Sequence, residues 1–128
     1  MQKAIIIDDE ADSVKLLTLQ LKMYCPQVQV VAGCTDAADG LQQIKTLQPN
    51  IVFLDIEMPK INGFEVLNQT KGHACKVIFT TAYDQFAIKA FKYSAVDYLL
   101  KPIDIEELKL AVEKIIHQSQ NDISTRIQ

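Results

Sequence analysis

No stretch of this 128-residue chain approaches the ~20 consecutive apolar residues that a membrane-spanning helix needs. No charged and apolar leader precedes the first strand-like run, so the chain reads as cytoplasmic. A basic stripe is also absent: 13 Lys and Arg against 16 Asp and Glu leave a net charge of −3. Direct nucleic-acid binding by these residues is therefore not expected. Cys25, Cys34 and Cys75 are odd in number, widely spaced and form no C-x-x-C pair. They read as reduced thiols, at least partly buried, and not as a disulfide framework. His73 and His117 share no metal-ligand spacing with any cysteine and read as surface residues. There is no internal repeat and no internal boundary, so residues 1–117 read as one domain. Residues 118–128 are polar and without pattern, either a frayed tail or the start of a linker.

Apolar runs and helical stripes alternate along what remains. Ala4 to Ile7, Val28 to Ala32, Ile51 to Leu54, Val77 to Thr81 and Asp97 to Leu100 read as five strands. Between them, Val14, Leu17, Leu21 and Tyr24 mark a helix that ends before Pro26. Ala37, Leu41, Ile44 and Leu47 mark a second, which Thr35 or Asp36 can cap. Short helical stretches follow over 64–69 and 85–93. A last helix buries Ile105, Leu108, Val112 and Ile115, with Asp104 and Glu107 as a capping-box-like start. Five strands alternating with five helices through short connections predict an α/β fold. The expected form is a three-layer α/β/α sandwich on a five-stranded parallel sheet, order 2-1-3-4-5.

In such a sheet ligands gather at the carboxyl ends of the strands. Asp8 and Asp9 follow the first strand, Asp55 the third, Thr81 the fourth and Lys101 the fifth. Strands one and three are expected neighbours, so three carboxylates converge. Bare carboxylates that close repel one another and raise at least one pKa, unless a hard divalent cation takes up their charge. Mg²⁺ suits oxygen ligands of this kind. With an ammonium and a hydroxyl beside it, such a site can stabilise a transferring phosphoryl group, with Asp55 as nucleophile.

These residues, together with Leu54-Asp55, Met58-Pro59, Gly63, Thr81-Ala82 and Lys101-Pro102, resemble the receiver domain of bacterial two-component response regulators. The resemblance covers about Lys3 to His117. It implies that Asp55 accepts phosphate from a sensor histidine kinase. It also implies that Asp9, Asp55 and the backbone carbonyl of Glu57 ligate Mg²⁺, with Asp8 holding a metal-bound water. Thr81 and Lys101 would contact the phosphoryl group, and Tyr98 matches an aromatic switch position. The stretch from Thr81 to Pro102 resembles the LytTR subfamily, whose second domain binds DNA. A receiver acting alone is the alternative. Glu57, two residues after the acceptor, departs from the commonest pattern.

Two other classes compete. A phosphatase of the haloacid dehalogenase type also needs Asp, Mg²⁺, Thr and Lys, but its second acid is usually Asp where this chain has Glu57. A flavin-binding module would need a hydroxyl- and glycine-rich loop after strand one, where Asp8-Asp9-Glu10 stand instead. The expected partner surface carries Lys89, Lys92, Asp97, Glu106, Glu113 and Lys114, a mixture of signs suited to a homodimer formed on phosphorylation.

Overall fold

The apolar run Ile51-Val52-Phe53-Leu54 is the middle strand of the sheet, and every residue in it is fully buried. The computed structural model describes residues 1–70, 73–82 and 97–127, with side chains as far as His117. The strands are β1 (Gln2–Ile7), β2 (Val28–Cys34), β3 (Ile51–Asp55), β4 (Lys76–Thr81) and β5 (Asp97–Leu100). They form one parallel sheet in the order β2-β1-β3-β4-β5, as the alternation of strands and helices predicts. Four helices occur among the described residues: α1 (Ala11–Tyr24), α2 (Ala37–Leu47), α3 (Gly63–Gln69) and α4 (Ile105–Ile127). The helical stretch expected over residues 85–93 lies outside the described residues.

Successive side chains of a strand point to opposite faces, and the core divides accordingly. Ile5, Ile7, Val52, Leu54, Val77 and Phe79 pack with Ala37 and Ile44 of α2 and with Phe64, Val66 and Leu67 of α3. Ala4, Ile6, Ile51, Phe53, Ile78 and Leu99 pack with Leu17 and Leu21 of α1 and Leu108, Val112 and Ile115 of α4. Each of the large side chains buried this way contributes about 1.5–3 kcal/mol. The rings of Phe64 and Phe79 meet edge to face at 5.1 Å, which ties α3 to β4. Two helices start on side-chain caps: Asp36 accepts from the Asp39 amide and Asn62 from the Glu65 amide. At the head of α4, Asp104 accepts from the Glu106 amide.

Several expectations change at element ends. β2 continues through Cys34 instead of stopping at Ala32, because Gly33 and Cys34 pair with Ile6 and Ile7. Tyr24 is exposed and Ile105 half-buried, so neither belongs to the inner stripe of its helix. The largest difference is α4, which runs on to Ile127 where a patternless tail is expected. No glycine or proline interrupts the chain from Ile103 to Gln128, so nothing local stops the helix once it has begun. Cys25 and Cys34 are buried, Cys75 is half-buried, and all three are free thiols; His73 and His117 are exposed.

Candidate functional site

β1 and β3 are neighbours, and Ile7 pairs with Leu54. Asp8, the first residue past β1, and Asp55, the last of β3, therefore lie at the same level. Both are buried, at 3% and 5% exposure, while Asp9 stands in solvent. One carboxylate oxygen each from Asp8, Asp9 and Asp55 lies within 4.8 Å of the others.

The two buried carboxylates divide their oxygens in the same way. Asp8 Oδ1 accepts from the Glu10 amide at 2.9 Å, and Asp55 Oδ1 accepts from the Glu57 amide at 3.2 Å. These bonds to the residue two positions on are turn-forming contacts that fix each loop to its own acid. The other oxygens face the ammonium of Lys101, which lies 2.7 Å from Asp8 Oδ2 and 3.8 Å from Asp55 Oδ2. Lys101 is brought there by its own backbone, since its amide donates to the Thr81 carbonyl at 2.7 Å.

Burial pushes the Asp55 carboxyl up to about 7. The charge of Asp8 and a hydrogen bond that the protonated Asp55 donates to Asp9 act in the same direction. The Lys101 ammonium and the Glu57 amide oppose them without prevailing. For Lys101, burial alone would lower the pKa. The hydrogen bond to Asp8 and the charges of Asp55, Asp8 and Glu10 outweigh it, so the ammonium is held above its ordinary value. The site thus holds more negative charge than one lysine neutralises, and its donors are all oxygens. That is the chemistry of a hard-cation site.

The remaining expected residues lie around this cluster. Thr81 is fully buried at the end of β4, one residue beyond Thr80, which pairs with Asp55. The Glu57 side chain is exposed on the rim of an open cleft of about 480 Å³ that it shares with Asp9, Met58, Pro59 and Asn62. Tyr98 is half-buried and in register with Phe79, two positions before the level of Thr81, and packs on the α2/α3 side of the sheet. Asp8, Asp9, Asp55 and Lys101 therefore come together, with Thr81 beside them and Tyr98 further back. Sequence reasoning did not find that the shortest ion pair joins Lys101 to Asp8 and not to Asp55. These residues are 93 positions apart and on non-adjacent strands, and no spacing reports such a contact. It also did not find the Glu10 amide, although an acid two residues before it was the available signal.

The profile of the response regulator receiver domain matches residues 4–113. An uncharacterized response regulatory protein of Vibrio cholerae is 41% identical over 119 residues, covering 92% of this chain and 50% of that protein. The sensory transduction protein LytT of Bacillus cereus is 36% identical over 131 residues, covering 98% of this chain and 52% of that protein. This chain thus spans about half the length of these relatives. Among solved structures, a DNA-binding response regulator of the LuxR family from Staphylococcus aureus superposes with a TM-score of 0.82 at 29% identity. That superposition covers 90% of this chain and 98% of the other.

Proposed function

The chain belongs to the response regulator receiver domain family, and from that membership we propose that it receives a phosphoryl group on Asp55 from a sensor histidine kinase. One observation carries the assignment to Asp55. Of the two buried acids in a three-carboxylate cluster it is the one that ends the central strand, with a lysine ammonium 3.8 Å away. In the transfer, an Asp55 oxygen bonds to phosphorus as the bond from phosphorus to the donor imidazole nitrogen breaks. The imidazole, protonated on its other ring nitrogen, leaves with the electron pair and is neutral after the transfer. Lys101 faces the incoming oxygens as a fixed positive charge, and Thr81 offers its hydroxyl from the end of β4.

The residues fit Mg²⁺: Asp9 and Asp55 would ligate it directly with the Glu57 carbonyl, and Asp8 would hold a bound water. When bound, the ion neutralises the equatorial phosphoryl oxygens and the excess charge of the cluster. The Asp8–Lys101 pair keeps the ammonium beside the acceptor before any phosphate arrives.

Acetyl phosphate with Mg²⁺ should add one phosphate by intact mass, and Asp55→Asn should stay folded and unlabelled. A labelled Asp55→Asn protein would move the acceptor elsewhere. Labelling that stops at one equivalent fits a signalling acceptor, whereas continued hydrolysis of small phosphate esters would favour a phosphatase. Among the described residues no helix is long and apolar enough to cross a membrane. The proposed setting is cytoplasmic. The output is transcription control through a LytTR-type DNA-binding domain beyond residues 118–128, which would serve as the linker. In this reading Thr81 follows the phosphate and Tyr98 turns inward behind it, so that the β5 and α4 surface becomes a homodimer contact.

A further inference from the structure

Gly63 opens α3, yet its backbone angle does not ask for glycine, since its φ lies outside the left-handed region. A glycine in a helix costs as much as about 1 kcal/mol against alanine, so some contact has to account for it. A Cβ placed there would lie 2.6 Å from the carbonyl oxygen of Asp55, 2.8 Å from Cα of Ile56 and 3.2 Å from the Asp55 carbonyl carbon. All three are main-chain atoms. Gly33 and Gly40 are also crowded, but their added Cβ would meet the side chains of Val14 and Ile7. Side chains can shift; the backbone at the end of the central strand cannot do so without carrying Asp55 along.

The contact closes a loop. The Gly63 amide donates to the Ile56 carbonyl at 2.8 Å. Between these residues the chain reverses at Lys60, where φ is 71° and the Ile61 amide donates to the Pro59 carbonyl at 2.8 Å, the bond of a γ-turn. Asp55 and Ile56 form one end of this loop and Gly63 the other. Just inside it, the Glu57 amide holds Asp55 Oδ1.

We infer that Gly63 is a positioning residue for Asp55: its missing side chain lets α3 seat against the Asp55–Ile56 backbone and so fixes the aim of the carboxylate. The inference rests on Asp55 being the phosphoacceptor. A methyl group at Gly63 would force α3 and β3 apart, tilt the Ile56–Glu57 peptide and loosen the Glu57 amide from Asp55.

The test compares Gly63→Ala with Gly33→Ala, which crowds the α1–β2 contact and serves as a control for lost stability. Thermal melts, Mg²⁺ titration followed by amide NMR shifts, and acetyl phosphate labelling are read on both. Gly63→Ala should weaken Mg²⁺ binding by about tenfold or more, the scale at which supporting residues act on metal sites. Gly33→Ala should melt earlier but bind as the wild type does. Wild-type affinity in Gly63→Ala, or an equal loss in both variants, would overturn the inference while the function stands. If Gly63→Ala does not fold, hydrogen exchange in the wild type decides. A closed loop that favours Mg²⁺ must be favoured by it, so the Gly63 amide should exchange more slowly when Mg²⁺ is bound. Unchanged exchange would overturn it. A wild type that neither binds Mg²⁺ nor takes one phosphate would remove the function and this inference together.

Discussion

At the scale of single residues the site is under charge strain that protons can relieve. Asp55 has a pKa of about 7 in the folded protein against an ordinary value of 3.8. The folded state therefore holds a proton that the unfolded chain has already released. That contribution to stability is fully present below pH ~4 and is lost as pH rises through the folded value. Between those limits the Mg²⁺-free protein should lose stability with a slope of up to about 1.4 kcal/mol per pH unit. Urea midpoints in chelating buffer, taken as the difference between wild type and Asp55→Asn, isolate this proton from the histidines. A flat difference would contradict the buried-cluster picture. Asp8→Asn should shrink the slope, since it removes a repelling charge and leaves Lys101 to Asp55 alone. Mg²⁺ should cancel it altogether. The residues of this cluster were legible in the sequence because apolar strands end abruptly in acids. The partner each acid takes was not. That choice depends on which oxygen each local turn has already occupied.

At the scale of elements, the bounds that differ from expectation by two residues or more are the start of β1, the end of β2 and the end of α4. β5 has the expected bounds because Asp97 and Lys101 bracket a short apolar run. β2 runs two residues past its expected end because Gly33 stays in the strand and admits Val14 of α1 to close packing. α4 outruns its expected end for another reason: polar residues without an apolar stripe carry no stop signal either. Helix starts, by contrast, follow local chemistry. Asn62 caps α3 through the Glu65 amide at 3.0 Å, and Asn62→Ala should cost about 1 kcal/mol of unfolding free energy. Chemical denaturation reads the loss directly. A cost near zero would mean that Phe64 packing on Phe79, and not the cap, sets where this helix begins.

At the scale of the molecule, the order of the sheet could be deduced because parallel strands with short right-handed crossovers leave few arrangements. How the two faces share the signalling parts could not, because it depends on strand register. Tyr98 lies with the α2/α3 cluster, while Lys114 of α4 reaches Asp97, the residue just before it in β5, at 3.1 Å. Lys89 and Lys92 lie outside the described residues. Of the expected surface, Asp97 and Lys114 are thus already paired, and such an exposed pair is worth at most about 1 kcal/mol. It can be exchanged for a contact with a second copy at little cost. Beryllofluoride with Mg²⁺ should raise the sedimentation coefficient toward that of a dimer, and Tyr98→Ala should prevent the rise. An unchanged coefficient at high concentration counts against dimerisation, and a rise that survives Tyr98→Ala counts against the route through Tyr98.

The way Asp8 and Asp55 each give one oxygen to their own loop has a consequence for descent. Asparagine carries the same Oδ1 acceptor, so either acid can become asparagine with its turn intact and its charge gone. In the genetic code that exchange is a single transition at the first base of the codon. One nucleotide therefore separates this molecule from a relative with the same shape and one charge fewer at the strand ends, and one more restores the charge.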